Sequence, residues 1–146
     1  MCFWPEIEIG ARLVDVMPDE AGGELFMWAV IDEKEYRGII YEDMYYTQLR
    51  EDAAGLTVTK ITEIPQIEAK LSKQPQAVRF IKDCMADDEF LWDTYRKGYR
   101  LFVHHANDGG EYIVMARKCV WGEPRSYNGA NGNELLRADS DSGGNG

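Results

Sequence analysis

The second residue of the chain has the chemistry of a nucleophile. Removal of Met1 would leave Cys2 with a free amine beside its thiol, and N-terminal nucleophile enzymes use such an amine as the base. A reactive thiol also needs a lowered pKa, and nothing in the sequence indicates one. The residues that follow, Phe3, Trp4 and Pro5, are typical of a segment that packs onto a core. Cys2 is therefore the candidate nucleophile of an alternative, enzymatic function.

Two adjacent histidines are the second feature that could do chemistry. Neighbouring residues of a strand point to opposite faces of the sheet, so His104 and His105 cannot bind one metal ion together from a regular strand. Their spacing from Cys84 and Cys119 matches no metal motif. We expect one imidazole in the core and the other in solvent, with no metal site and no cofactor.

A predicted hairpin between residues 99 and 120 places two arginines opposite each other. The Asp-Gly pair at 108–109 is a strong signal for a two-residue turn, and in the register it implies Arg100 faces Arg117. Two like charges destabilise a sheet unless a carboxylate or an anionic ligand lies between them. We favour a carboxylate of the same chain. The alternative is a ligand site that includes His104.

Negative charge is concentrated in the first half of the chain. Residues 1–65 carry 14 Asp or Glu against five Lys or Arg, whereas residues 66–125 carry nine against ten, and the net charge of the whole chain is -10. Nucleic acids and anionic membranes bind cationic surfaces, so we expect neither as a direct ligand. An acidic field instead favours a protein partner with a basic surface.

Acidic and aromatic residues alternate in the middle of this acidic half. Aromatic side chains are enriched at the centres of protein interfaces, and carboxylates can compete for a nucleic-acid-binding groove. The alternative is an ordinary solvated surface that keeps the protein soluble. The predicted partner-binding residues are Glu33, Glu35, Tyr36, Glu42, Asp43, Tyr45, Glu51 and Asp52.

Hydrophobic periodicity predicts several strands before and after a helical segment. Residues 42–53 fit a short helix, and a helical block occupies about residues 65–97 with a break at Gln74-Pro75. Asp87 is a good N-cap for the last helix, which ends before Gly98. Strands are predicted over residues 6–16, 25–31, 36–41, 56–62, 99–105 and 111–120, the second and third of them joined by a four-residue polar loop.

This pattern predicts a single α+β domain over residues 1–121. Its antiparallel sheet has about five or six strands, and the helical block packs on one face. Residues 122–146 are rich in Gly, Asn, Ser and Asp and are expected to form a flexible tail. Three cysteines at wide spacings indicate free thiols, and neither a signal peptide nor a membrane span is predicted. We expect a cytoplasmic protein of unknown oligomeric state.

In size and charge the chain resembles the small acidic inhibitors, including anti-CRISPR proteins and DNA mimics, that phages and mobile elements use against host defences. The resemblance implies a non-enzymatic protein-binding module that blocks a basic, nucleic-acid-binding surface of a defence protein, for example a nuclease. One alternative is a toxin-neutralising immunity protein. The other is a small enzyme or ligand-binding protein that uses Cys2 or the region of His104, Arg100 and Arg117.

Deletion of residues 126–146 should leave the melting temperature of the domain unchanged. Leu135 and Leu136 are the only apolar pair in this segment, which is too little to offset the entropy of ordering it. Thermal melting of the full and truncated chains checks this. A loss of several degrees would show that the segment packs on the domain.

Overall fold

A computed structural model describes residues 6–126 and shows an antiparallel sheet with short helices. The nine strands are β1 Glu6–Asp19, β2 Glu24–Ile31, β3 Glu35–Glu42, β4 Tyr46–Thr47, β5 Thr57–Ile64, β6 Arg100–Ala106, β7 Glu111–Ala116, β8 Lys118–Trp121 and β9 Arg125–Ser126. The helices are α1 Ile67–Leu71, α2 Pro75–Asp83 and α3 Asp88–Arg96, and one 3₁₀ turn spans Glu51–Ala53.

The prediction of an α+β domain with five or six strands is wrong, because residues 6–126 are mostly antiparallel sheet and contain nine strands. The predicted helix over residues 42–53 is instead β4 followed by the 3₁₀ turn. Tertiary hydrogen bonds explain the difference. The amide of Tyr45 donates to the carbonyl of Met115 at 2.8 Å, and that of Gln48 donates to Ile113 at 2.9 Å. Pairing with β7 therefore overrides a local helical pattern.

The order of the strands requires the sheet to curl back on itself. Neighbouring strands follow the order β4-β7-β6-β5-β1-β2-β3-β8, and β9 also pairs with β3. β7 and β8 lie near opposite ends of this order, yet only Arg117 separates them in the chain. Contacts across the curl follow: the ring of Tyr41 on β3 lies 5.0 Å from that of Phe102 on β6.

Two hydrophobic clusters lie on opposite faces of β6 and β7. Because side chains alternate along a strand, Phe102 and Val114 point into the curl, where the larger cluster lies. Leu101 belongs to the second cluster, together with Phe80 of α2 and Leu91 of α3. The helices therefore cover the outer face of these strands.

The ends of the helices follow their sequence signals. The break at Gln74-Pro75 is confirmed, since Pro75 opens α2. Asp87 is confirmed as the N-cap of α3: its carboxylate accepts a hydrogen bond from the amide of Phe90 at 2.8 Å. Gly98 follows the helix with a φ of 96°, a conformation that glycine adopts without strain.

Pairing along β3 continues beyond β8. The amide of Gly122 donates to the carbonyl of Gly38 at 2.8 Å, and β9 then pairs with the start of β3. None of the helices within residues 6–126 is long and apolar enough to cross a membrane. Cys2 and residues 127–146 lie outside the described residues.

Replacement of Asp87 by alanine should lower the free energy of unfolding by about 1 kcal/mol, because the amide of Phe90 loses its side-chain acceptor. The control is Glu89→Ala, which also removes a first-turn carboxylate but no capping bond. Urea unfolding of both variants checks this. Equal losses would show that charge at the helix start, and not the cap, stabilises α3.

Candidate partner-binding surface

The predicted partner-binding residues lie in two separate groups at the two ends of β3. Glu33 and Glu35 lie at the β2–β3 turn, whereas Glu42 and Asp43 lie where β3 ends. Seven residue steps separate Glu35 from Glu42, which corresponds to roughly 23 Å along an extended strand. A single partner contact of modest size therefore cannot centre on both groups.

The two carboxylates at the β2–β3 turn each form an ion pair with an arginine. The predicted β2–β3 hairpin is confirmed, but its loop has three residues, 32–34, and not the predicted four. Asp32 and Glu33 adopt left-handed φ values of 52° and 57° in this loop. Arg12 of β1 donates to both carboxylate oxygens of Glu33 at 3.0 and 3.1 Å. This contact keeps the pKa of Glu33 below its ordinary value, and Glu35 lies 3.9 Å from Arg37.

The group at the other end of β3 is larger, and we call it the acidic end. Cross-strand pairing places Glu24 beside both Asp19 and Glu42. Arg50 contacts Glu20 at 2.9 Å and thereby joins the β1–β2 hairpin to the 3₁₀ turn. The acidic end comprises Asp19, Glu20, Glu24, Glu42, Asp43, Glu51 and Asp52.

Basic residues compensate only part of the charge at the acidic end. Its seven carboxylates meet three cations, because Arg117 lies 3.8 Å from Asp43, Lys118 lies 3.9 Å from Glu42, and Arg50 pairs with Glu20. The hydrogen bond from Arg50 keeps the pKa of Glu20 below its ordinary value, so this carboxylate stays ionised. The acidic end thus carries a net charge of four negative units.

The two predicted tyrosines differ in their access to solvent. Tyr36 is 1% exposed and stacks on Trp28 with ring centroids 5.0 Å apart, so its ring contributes to packing. Tyr45 is 56% exposed and touches Phe90 and Tyr99 by ring edges. Tyr45 lies two residues after Asp43 in the chain and is the accessible aromatic side chain of the predicted set.

A cleft of about 620 Å³ adjoins the acidic end. Gln48 lies in its wall and is fixed by three hydrogen bonds, which it donates to the Gln76 carbonyl and the Tyr46 hydroxyl and accepts from the Ile113 amide. The Tyr46 hydroxyl donates in turn to Asp83 at 2.7 Å, and burial raises the pKa of Tyr46 to about 12. The wall of the cleft is therefore polar and hydrogen-bonded, and Tyr46 is neutral at physiological pH.

Two further carboxylates line the cleft. Asp52 brings the acidic end into its wall, and Asp108 comes from the β6–β7 turn. Asp108 accepts hydrogen bonds from the Gly110 amide and the Tyr112 hydroxyl, which keep its pKa below the ordinary value. Sequence reasoning missed Asp108 and the β1–β2 carboxylates. Pro18, Asp19, Gly22 and Gly23 are turn residues that indicate a hairpin at the latter, and the β2–β3 register then places Glu24 beside Glu42.

The expected pairing of Arg100 with Arg117 is wrong. The β6–β7 register pairs Arg100 with Ala116 and His105 with Glu111, one residue away from the predicted register. The cause is a three-residue loop in place of a two-residue turn, since the amide of Ala106 donates to the carbonyl of Gly110.

Arg100 and Arg117 both contact Tyr99 but differ in their other partners, since the guanidinium of Arg117 lies 5.8 Å from the centre of the Tyr99 ring. The guanidinium of Arg100 lies 3.8 Å from the centre of the Tyr95 ring and donates to the carbonyls of Tyr95 and Tyr99. Arg117 lies near Asp43 at the acidic end. With His104 buried inside the curl, the three residues of the proposed enzyme or ligand site do not converge.

His104 is buried in a hydrogen-bonded chain across the curl. Its Nδ1 donates to the Tyr112 carbonyl at 3.0 Å, so its Nε2 accepts from the Tyr41 hydroxyl, 2.6 Å away. Burial lowers the pKa of His104 to about 4, so the ring is neutral at physiological pH. Of the two histidines, His104 is confirmed in the core, whereas His105 is partly exposed and lies 3.3 Å from Glu111.

The two described thiols are poorly ionised. Burial raises the pKa of both Cys84 and Cys119 to about 11, which keeps them as thiols near neutral pH. Within residues 6–126, His, Cys, Asp and Glu side chains form no group of three that could hold a metal ion.

His104 should make the protein less stable as the pH falls from 6.5 to 4. Above pH 6.5 the ring is neutral in both the folded and the unfolded protein. Between pH 6.5 and 4 the unfolded chain binds a proton on His104, whereas the folded protein does not, because burial lowers the pKa of the ring. The free energy of unfolding then falls by about 1.4 kcal/mol per pH unit, to a total of about 3 kcal/mol. Urea unfolding at several pH values should show a smaller dependence in His104→Gln.

The matched control for this experiment is His105→Gln, which leaves His104 in place and should retain the dependence that His104 causes. The same pH dependence in the wild type and in His104→Gln would contradict the assignment.

The chain has no match among protein-family models, among curated proteins or among solved structures. Function therefore has to be inferred from the chemistry of its own surface.

Proposed function

We propose that this protein is a non-enzymatic binding module whose acidic end blocks a basic, nucleic-acid-binding surface of a partner protein. The observation that carries the proposal is the grouping of seven carboxylates against three cations around the end of β3. Tyr45 adds an exposed aromatic side chain beside them. A charged surface of this kind raises association rates with a basic partner.

The partner that fits this chemistry is a nuclease or another nucleic-acid-binding protein. Such proteins carry grooves rich in Lys and Arg that hold phosphates, and carboxylates of a rigid sheet can occupy the same cations. We place the protein in the cytoplasm as an inhibitor of a host defence, of the type that phages and mobile elements encode. If the captured partner is instead a nuclease toxin encoded beside the gene, the protein is an immunity protein.

We assign the contact to one of the two predicted groups, because the acidic end has the larger excess of carboxylates over cations. Four of the eight predicted residues belong to the acidic end, and Tyr45 lies beside it in the chain. Of these five, Tyr45 and Asp52 also line the cleft. The four are Glu42, Asp43, Glu51 and Asp52. Glu33 and Glu35 lie at the far end of β3, so they serve as a control within the same protein.

Reversal of Glu42 and Asp43 to lysine should slow association with the partner at least tenfold at low salt. The control is the reversal of Glu33 and Glu35. Each double variant changes the same charge, breaks two ion pairs with neighbouring cations and alters one residue with a positive φ. The control should associate at close to the wild-type rate.

The experiment begins with capture of the partner from the native host and its identification by mass spectrometry. Association rates are then measured at low and high salt, with circular dichroism to confirm folding of each variant. The wild-type rate should fall as salt screens the charges, and the protein should displace a labelled oligonucleotide from the partner. A rate that is indifferent to salt, or equal losses in the two double variants, would contradict the proposal.

A further inference from the structure

The cleft beside the acidic end is bounded by three parts of the chain. One wall is the segment from Tyr45 through the 3₁₀ turn, which includes Asp52. The second wall is α2, with Arg79 and Asp83, and the third is the β6–β7 loop, with Asp108. The volume of about 620 Å³ is in the range of small-ligand sites, roughly 300–1,000 Å³. The cleft can therefore admit a small molecule or one side chain of another protein.

Two carboxylates of the cleft form no ion pair in the described part of the chain. The lining includes four carboxylates and two guanidinium groups, a net charge of minus two. Each guanidinium contacts one carboxylate, and these pairs are Arg50 with Glu20 and Arg79 with Asp83. Asp52 and Asp108 are the two carboxylates that remain. The negative charge of the cleft is therefore concentrated on them.

Asp52 and Asp108 lie near the same phenol ring. The Tyr112 hydroxyl donates to Asp108 at 2.8 Å, and this hydrogen bond raises the pKa of Tyr112. The charge of Asp52 contributes to the same shift, which places Asp52 close to Tyr112 as well. Asn107 ties the β6–β7 loop to β5, because its amide donates to the Thr57 carbonyl at 2.8 Å and its side chain accepts from the Thr57 amide. Both carboxylates therefore belong to one part of the cleft.

A guanidinium group has the chemistry that fits this part of the cleft. It is planar and permanently charged, and its five N–H groups can donate to two carboxylates at once. It also stacks on aromatic rings, and both Tyr45 and Tyr112 line the cleft. The ammonium group of lysine carries the same charge but lacks the planar fork. Arginine is therefore the side chain that matches the cleft in charge, hydrogen bonding and shape.

We propose that the cleft binds the guanidinium group of an arginine of the partner protein, which donates to Asp52 and Asp108 beside the rings of Tyr45 and Tyr112. This inference rests on the proposed function, because that function requires a partner surface rich in Lys and Arg. It assigns a second role to the same region of the molecule. The acidic end accelerates association, whereas a hydrogen-bonded ion pair in the cleft slows dissociation.

NMR titration of the full chain with Nα-acetyl-argininamide tests the cleft without any partner. This compound is a capped arginine whose only charge is the guanidinium. It should bind with a dissociation constant of about 1 mM and shift the amide signals of residues 51–53 and 107–112. Nα-acetyl-citrullinamide has nearly the same shape and no charge, so it should bind about tenfold more weakly. Equal binding of the two compounds, or shifts confined to other residues, would overturn the proposal.

Removal of either carboxylate should weaken binding of Nα-acetyl-argininamide about tenfold. The variants are Asp52→Asn and Asp108→Asn. Asp108 also accepts hydrogen bonds within its own loop, so Asp52→Asn decides the matter if circular dichroism shows that Asp108→Asn is misfolded. The matched control is Asp15→Asn, which removes the same charge from an exposed position of β1 outside the cleft and should bind like the wild type. Equal losses in Asp52→Asn and Asp15→Asn would contradict a specific site.

Free arginine distinguishes a protein side chain from a small molecule as the source of the guanidinium. The net negative charge of the cleft opposes its α-carboxylate, so free arginine should bind more weakly than the capped compound. Tighter binding of free arginine would overturn the assignment to a partner protein.

Dissociation of the captured partner completes the test. The complex with Asp52→Asn should dissociate about tenfold faster than the complex with Asp15→Asn, and equal rates would overturn the proposed contact. The two proposals fail in different ways. A chain that associates with a basic partner in a salt-dependent manner but does not bind Nα-acetyl-argininamide contradicts the guanidinium site alone. A chain that binds the compound in the cleft but associates with its partner at a rate indifferent to salt contradicts the proposed function.

Discussion

The one-residue link between β7 and β8 is the constraint on which the rest of the structure depends. Arg117 is too short a connection to span a flat sheet, so β3 must approach β6. The Tyr41 hydroxyl then meets His104 inside the curl, at 2.6 Å. A buried polar group left without a partner costs about 1–3 kcal/mol, so this contact favours one register for both strands.

The curl also determines where the negative charge lies. The amide of Met44 donates to the carbonyl of Gly23 at 2.7 Å, and that of Gly55 donates to Leu13 at 2.7 Å. These bonds bring the β1–β2 hairpin, the end of β3 and the 3₁₀ turn to the same end of the sheet. Carboxylates that are spread over more than thirty positions of the sequence therefore share one surface, whereas those at the β2–β3 turn stay apart.

Local signals predicted local structure well. Pro75, Asp87 and Gly98 act through their own backbone or the next turn of helix, so a single sequence contains what is needed to place them. The register of the β6–β7 hairpin was missed because side-chain bonds select its loop. Asp108 accepts from the Gly110 amide and the Tyr112 hydroxyl, which the dipeptide Asp-Gly alone does not reveal.

Strand pairing between segments that are distant in the chain could not be predicted from the sequence. β4 has two residues and depends on β7, which lies more than sixty positions later. Residue types alone predicted an acidic surface, but the division of its members between the two ends of β3 required the strand register. The buried contact between Tyr41 and His104 had no sequence signal, since nothing near either residue indicates the other.

The acidic end and the helical segment differ in charge. The acidic end carries a net charge of four negative units, whereas residues 66–98 carry six acidic and six basic residues. A basic partner is therefore attracted to one end of the sheet and not to the helices. Because the helices cover the outer face of β6 and β7, they stabilise these strands without adding to the acidic field.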